Sequence, residues 1–145
     1  MKLLTMLLLC MIALAACGGA GGGNDEIIEI EDRFFILQTQ DIMVNHNDYI
    51  GRTIRYQGMF FSQIWEPTGE EFFMVIRFTD DCCGGTDGFV GFEVYLGDIP
   101  RPIDNTWVDI TGVLAWDNGF IRLNLVSLET PPERGEEFVF PGFGG

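Results

Sequence analysis

Two runs of alternating apolar side chains, separated by a loop of turn formers, set the strongest limit on how this chain can fold. Phe72, Met74, Ile76 and Phe78 share one face of an extended segment, with Phe73, Val75 and Arg77 on the other, because successive side chains of a strand point to opposite sides. Val90, Phe92, Val94 and Leu96 repeat the pattern after the loop, with Gly91, Glu93 and Tyr95 opposite. These are two half-buried strands. Between them Asp80, Asp81, Gly84, Gly85, Asp87 and Gly88 form a turn-rich loop around two adjacent cysteines, Cys82 and Cys83. The glycines free Cys82 and Cys83 from strand geometry, which would aim neighbouring side chains at opposite faces.

Further strands follow at regular spacing. Thr53 to Gln63 puts Ile54, Tyr56 and Phe60 on one side, with Gly58 at a bulge or bend. Glu66-Pro67-Thr68-Gly69 is a turn. Thr106 to Ala115 aims Val108, Ile110 and Leu114 inward, with Gly112 at a second bend, and Phe120 to Leu128 does the same with Ile121, Leu123 and Leu125. Asp117-Asn118-Gly119 between them predicts a type I′ hairpin. Pro100-Arg101-Pro102 leaves no room for a long helix before Thr106. Asp25 to Ile30 is acidic and apolar by turns, and Phe34 to Leu37 reads as a strand or a first helical turn. Thr39 is expected to cap a short helix beginning near Gln40, with Ile42, His46 and Tyr49 on one face. Five strands with glycine bends predict a mainly β protein, a small five-stranded OB-like barrel with one short N-terminal helix.

The first residues, MKLLTMLLLCMIALAACGG, predict a secretory leader: Lys2, then an apolar run from Leu3 to Ala16 that ends in small residues. The run is short for a bilayer, which takes roughly 20 residues. Leu14-Ala15-Ala16-Cys17 resembles the bacterial lipobox, which implies cleavage before Cys17 and lipidation of its sulfur. Two acyl chains suffice for stable anchoring. The expected division is a leader over 1–16, the lipidated cysteine and a Gly-rich tether over 17–26, the barrel over 27–132, and an acidic, aromatic tail over 133–145. The tail runs either along the domain or free of it. The expected location is the extracytoplasmic face of a bacterial cell membrane, with the chain a monomer.

Without the leader the chain keeps seven arginines and no lysine against 22 acidic residues, a formal charge of −15. That excludes nucleic acid, whose binding needs basic groups on phosphates, and suits solubility and attraction of cations. With Cys10 in the leader and Cys17 acylated, Cys82 and Cys83 are the remaining thiols, so no disulfide framework is expected.

Cys82, Cys83, Asp87, Asp80 or Asp81, and His46 together make a candidate metal site, since thiolate, imidazole and carboxylate suit Zn²⁺ or another thiophilic ion. A second reading is thiol redox chemistry through a strained vicinal disulfide, although the nearby aspartates raise the thiol pKa. A third makes both thiols small apolar fillers. His46 alternatively sits at a helix C-terminus, where positive charge is favoured. Trp65, Trp107 and Trp116 are core, rim or a stacking platform. Gly-x-Ser-x-Gly, the phosphate loop and HExxH are all missing from the sequence, so the chain is read as a binding protein, not an enzyme.

Tyr49-Ile50-Gly51-Arg52-Thr53-Ile54, Gly58, Arg77-Phe78, Cys82-Cys83, Gly91, Thr106-Trp107-Val108 and Thr111-Gly112 occur in an order that resembles the extracytoplasmic C-terminal domain of the YcgQ-like bacterial proteins. The resemblance spans about Ile42 to Pro131. It implies an OB-like barrel and a partner in the membrane, a permease. The loop departs from the family in one place: Thr86 stands where the family has its aspartate, and Asp87 follows.

Overall fold

A computed structural model of the chain describes residues 26–80 and 88–140. Its elements are β1 (Ile28–Glu29), α1 (Phe35–Val44), β2 (Thr53–Trp65), β3 (Glu70–Thr79), β4 (Gly88–Tyr95), β5 (Trp107–Asp117) and β6 (Phe120–Glu129). The strands run β1-β2-β3-β4-β6-β5 across the sheet, and β5 pairs back onto β2. Five strands therefore close a barrel, with β1 added outside, and the expected OB-like architecture is the one observed. Every pairing in the barrel is antiparallel except β4 with β6.

β2 closes the barrel by changing partner midway. Thr53 to Met59 pairs with β5, and Met59 to Trp65 pairs with β3. Gly58 stands at the change, where a Cβ would lie 2.9 Å from both the Ile76 carbonyl and Val75 Cγ1. The register with β5 runs unbroken through Gly58, so the expected bulge is absent and the glycine instead gives β3 room to approach beside the change of partner. The second expected bend is present, as a register shift between Thr111 and Gly112. Asn118 (φ 49°) and Gly119 (φ 92°) form the β5–β6 turn with both residues at positive φ, as a type I′ turn requires.

The interior is packed by Ile54, Tyr56 and Phe60 of β2, Val75 of β3, Phe92 and Val94 of β4, Val108, Ile110 and Leu114 of β5, and Leu123 of β6. Tyr56 ties three strands together: its hydroxyl donates to the Val75 carbonyl (2.7 Å) and accepts from the Phe92 amide (3.2 Å). Burial pushes the ionisation of this hydroxyl far above its usual range, which keeps it a donor.

Two features differ from the sequence reading, and a third decides between alternatives it left open. The helix begins at Phe35, and Thr39 lies buried in its middle with no part in capping. Phe35, Thr39 and Ile42 face the core, so tertiary burial sets the start of the helix in place of a capping side chain. On β3, Arg77 shares the inward face with Val75 and is 1% exposed. The opposite face is also covered: Ile76 is buried, and Phe78 packs against Phe138 at 5.6 Å. Finally, the tail lies along the barrel. The Phe78 amide donates to the Glu137 carbonyl and the Val139 amide to the Phe78 carbonyl, both at 2.9 Å, and Val139 enters the core.

These contacts fill a gap in the wall. Beyond Ile76, β3 has no register partner on β2. The exposed edge of β2 there is met first by β1, where the Ile30 amide donates to the Arg55 carbonyl. The next carbonyl on that edge, Gln57, receives Arg77 Nε at 2.7 Å. Arg77 Nη2 donates to Asp32 at 2.7 Å, and its guanidinium lies 4.4 Å from the centre of the Phe35 ring. One arginine side chain thus replaces the missing ladder between β2 and β3.

Candidate functional site

Cys82, Cys83 and Asp87 lie outside the described residues, as does Cys17. The stem that carries the double-cysteine loop is described. Thr79 stands opposite Gly88 as the last pair of the β3–β4 ladder. The stem is tight: a Cβ on Gly88 would lie 2.8 Å from the Thr79 carbonyl and 3.1 Å from that of Asp80. A loop whose ends are held this way has already met its closure cost through the sheet. Beside the stem is a cleft of about 400 Å³ between α1 and the β3–β4 ladder, lined in part by Met43, Met74, Asp80 and Phe89.

His46 lies at the same end of the barrel, in a single 3₁₀ turn (His46–Asp48) just past α1. Its ring stacks on Trp116 with centroids 4.8 Å apart and planes 17° from parallel. Its Nδ1 lies 3.2 Å from the Met43 carbonyl. A carbonyl can only accept, so that contact places the proton on Nδ1 and leaves the Nε2 lone pair as the ligating position. Among the described residues no three His, Cys, Asp or Glu side chains lie close enough together to hold a metal ion.

The model of one protein family, the DUF1980 C-terminal domain, matches residues 20–128. The chain belongs to this family. The match covers the described elements from β1 to nearly the end of β6, and it is consistent with the resemblance to the YcgQ-like C-terminal domain. No curated protein matches the chain. In this DUF1980 C-terminal domain the three tryptophans divide: Trp107 is buried, and its Nε1 donates to Gln57 Oε1 at 3.1 Å, whereas Trp65 and Trp116 are exposed at opposite ends.

The corner between α1 and β2 is held by a carboxylate–phenol pair that the sequence did not reveal. The Tyr49 hydroxyl donates to Asp41, which also accepts from Asn45 Nδ2 at 2.7 Å. The Tyr49 bond, then the Asn45 bond, hold Asp41 below its ordinary pKa, and the same bond to Asp41 holds Tyr49 above its own. Asp41 therefore contributes stability that is present above its unfolded pKa and lost as pH falls through its lower folded value. Tyr49 contributes stability that is present below its unfolded pKa and lost as pH rises through its higher folded value. The stability difference between the wild type and Tyr49→Phe should be constant at neutral pH and shrink at both extremes. Urea titrations across pH check this, and a difference that grows in acid would contradict the pair.

Proposed function

We propose that this chain is a lipid-anchored extracytoplasmic binding module that takes a thiophilic, zinc-like metal ion at its double-cysteine loop and serves as accessory to a membrane permease. The observation that supports this best is the clamped stem, Thr79 opposite Gly88, on a closed barrel. A rigid scaffold lowers the cost of ordering a short ligand loop. His46 lies at the stem's end of the barrel with its Nδ1 engaged by the Met43 carbonyl, which leaves Nε2 as its ligating nitrogen. The acidic surface adds attraction for cations. Lipidation at Cys17 would keep the module beside a membrane partner.

Metal analysis of the purified chain tests the proposal. Stoichiometric zinc is expected in the wild type and none in the Cys82→Ser/Cys83→Ser variant, with affinity weakened about tenfold or more in His46→Ala. A metal-free wild type with a vicinal disulfide seen by mass spectrometry would replace the metal reading with thiol redox chemistry. A metal-free chain whose thiols react only after unfolding would overturn both.

A further inference from the structure

We infer that the end of the barrel formed by the α1–β2 corner and the β5–β6 hairpin rests on the lipid bilayer, with Trp116 and Phe120 in the headgroup–acyl boundary. The inference rests on the lipid anchor proposed above and adds an orientation to it.

The first observation is where the tether joins. β1 runs parallel to β2, with Ile28 level with Ile54. Its preceding residues therefore emerge beside Arg52, and the Gly51 amide and Arg52 carbonyl are bonded to Leu114 near the end of β5. Glu26 lies only nine positions after Cys17, and a chain of that length spans at most about 30 Å. A lipid on Cys17 thus holds this end, and not the β2–β3 hairpin, nearest the membrane.

The second observation is what that end exposes. Val44 is 77% exposed, Phe120 69% and Trp116 54%, with Ile50 beside them at 40%. Trp116 pairs with Ile121 and Asp117 with Phe120, so Trp116 and Phe120 occupy the two faces of one hairpin tip, and the His46–Trp116 stack joins the Trp116 face to the corner. Isolated exposed apolar residues need no explanation, but several gathered at one end of the barrel, aromatics among them, do. Tryptophan and other aromatics favour the membrane interface, where a ring can be half-buried with its polar edge wet.

Asp117 is paired with Arg122 at 2.7 Å, and Asp41 is satisfied by Tyr49 and Asn45. Asp48 and Arg52 add one charge of each sign. Within the corner and the hairpin these charges balance, while Asp80 of the β3–β4 stem stands at the same end of the barrel. The opposite tip also exposes Ile64 and Trp65, among Glu66, Glu70 and a Glu71 paired with Arg101 at 2.8 Å, but it lies at the far end of β2 from the tether.

Quenching by lipid bromine tests the orientation. Full-length, acylated chain is reconstituted into phosphatidylcholine vesicles with bromine on the acyl chains, as Trp65→Phe and as Trp116→Phe. Trp65→Phe should lose roughly half of its emission, and Trp116→Phe should lose several-fold less. Equal quenching of the two, or stronger quenching of Trp116→Phe, overturns the inference. Vesicle-bound protein with no quenching in either variant also overturns it and leaves a protein surface as the occupant of this end. Flotation and the mass of the chain report the anchor separately. A chain that lacks lipid and does not float defeats the anchor, and the orientation falls with it.

Discussion

Gly91→Ala should leave little or no folded protein at 37 °C. A Cβ built on Gly91 would lie 2.1 Å from the Val75 carbonyl oxygen and 2.9 Å from Ile76 Cα. Both are backbone atoms, so no side-chain rotation relieves the clash. Val75 cannot retreat either. It pairs with Phe92 in the β3–β4 ladder, and its carbonyl receives the Tyr56 hydroxyl. A methyl group here must separate two central strands or break the Tyr56 network, and the expected loss is about 4 kcal/mol or more. Gly69→Ala is the control: its φ of 73° is unfavourable for alanine, but nothing lies within 4 Å of the added Cβ. It should cost only about 1 kcal/mol. Urea unfolding of the two variants decides the matter, and a Gly91→Ala protein within about 1 kcal/mol of wild type would show that the strands can part without penalty.

The second large effect is expected at Arg77. Arg77→Met keeps most of the stem but deletes the Nε–H that satisfies the Gln57 carbonyl and the Nη2–H that reaches Asp32. The Gln57 carbonyl would be left facing the gap between β2 and β3, where no strand can reach it. The expected loss is about 3 kcal/mol. Asp32 is half exposed, and water can replace much of what it provides, so Asp32→Asn should cost only about 1 kcal/mol. A larger loss in Asp32→Asn than in Arg77→Met, measured by urea midpoint, would show that charge pairing and not closure of the wall is the main role of Arg77.

The strands were legible because each is an alternating run bounded by Gly, Pro, Asn or Asp. Asp117-Asn118-Gly119 and Gly112 mark the turn and the register shift that the structure shows, and Gly58 lies next to the residue where β2 changes partner. What could not be read depends on partners distant in sequence. Arg77 resembles an outward-facing charge in an apolar run, and only the divergence of β2 from β3 explains why it turns inward. Thr39 has the chemistry of a helix cap, yet burial of Phe35 and Ile42 extends the helix past it. The Ile28–Glu29 strand and the Glu137–Val139 segment have little pattern of their own and are ordered by the edges they meet. At the candidate site the double cysteine and its flanking glycines were plain in the sequence. The His46–Trp116 stack, which joins residues 70 positions apart, left no local mark.

The seam between β2 and β3 also governs when this barrel can be completed. Its filling comes from Ile30 and Asp32 near one end of the described chain, Arg77 in the middle, and Glu137 to Val139 near the other. Such long-range contacts carry a loop-closure penalty and form slowly. During synthesis the cylinder stays unsealed, with Gln57 and the β3 edge open to water or a chaperone, until the last of these residues has emerged.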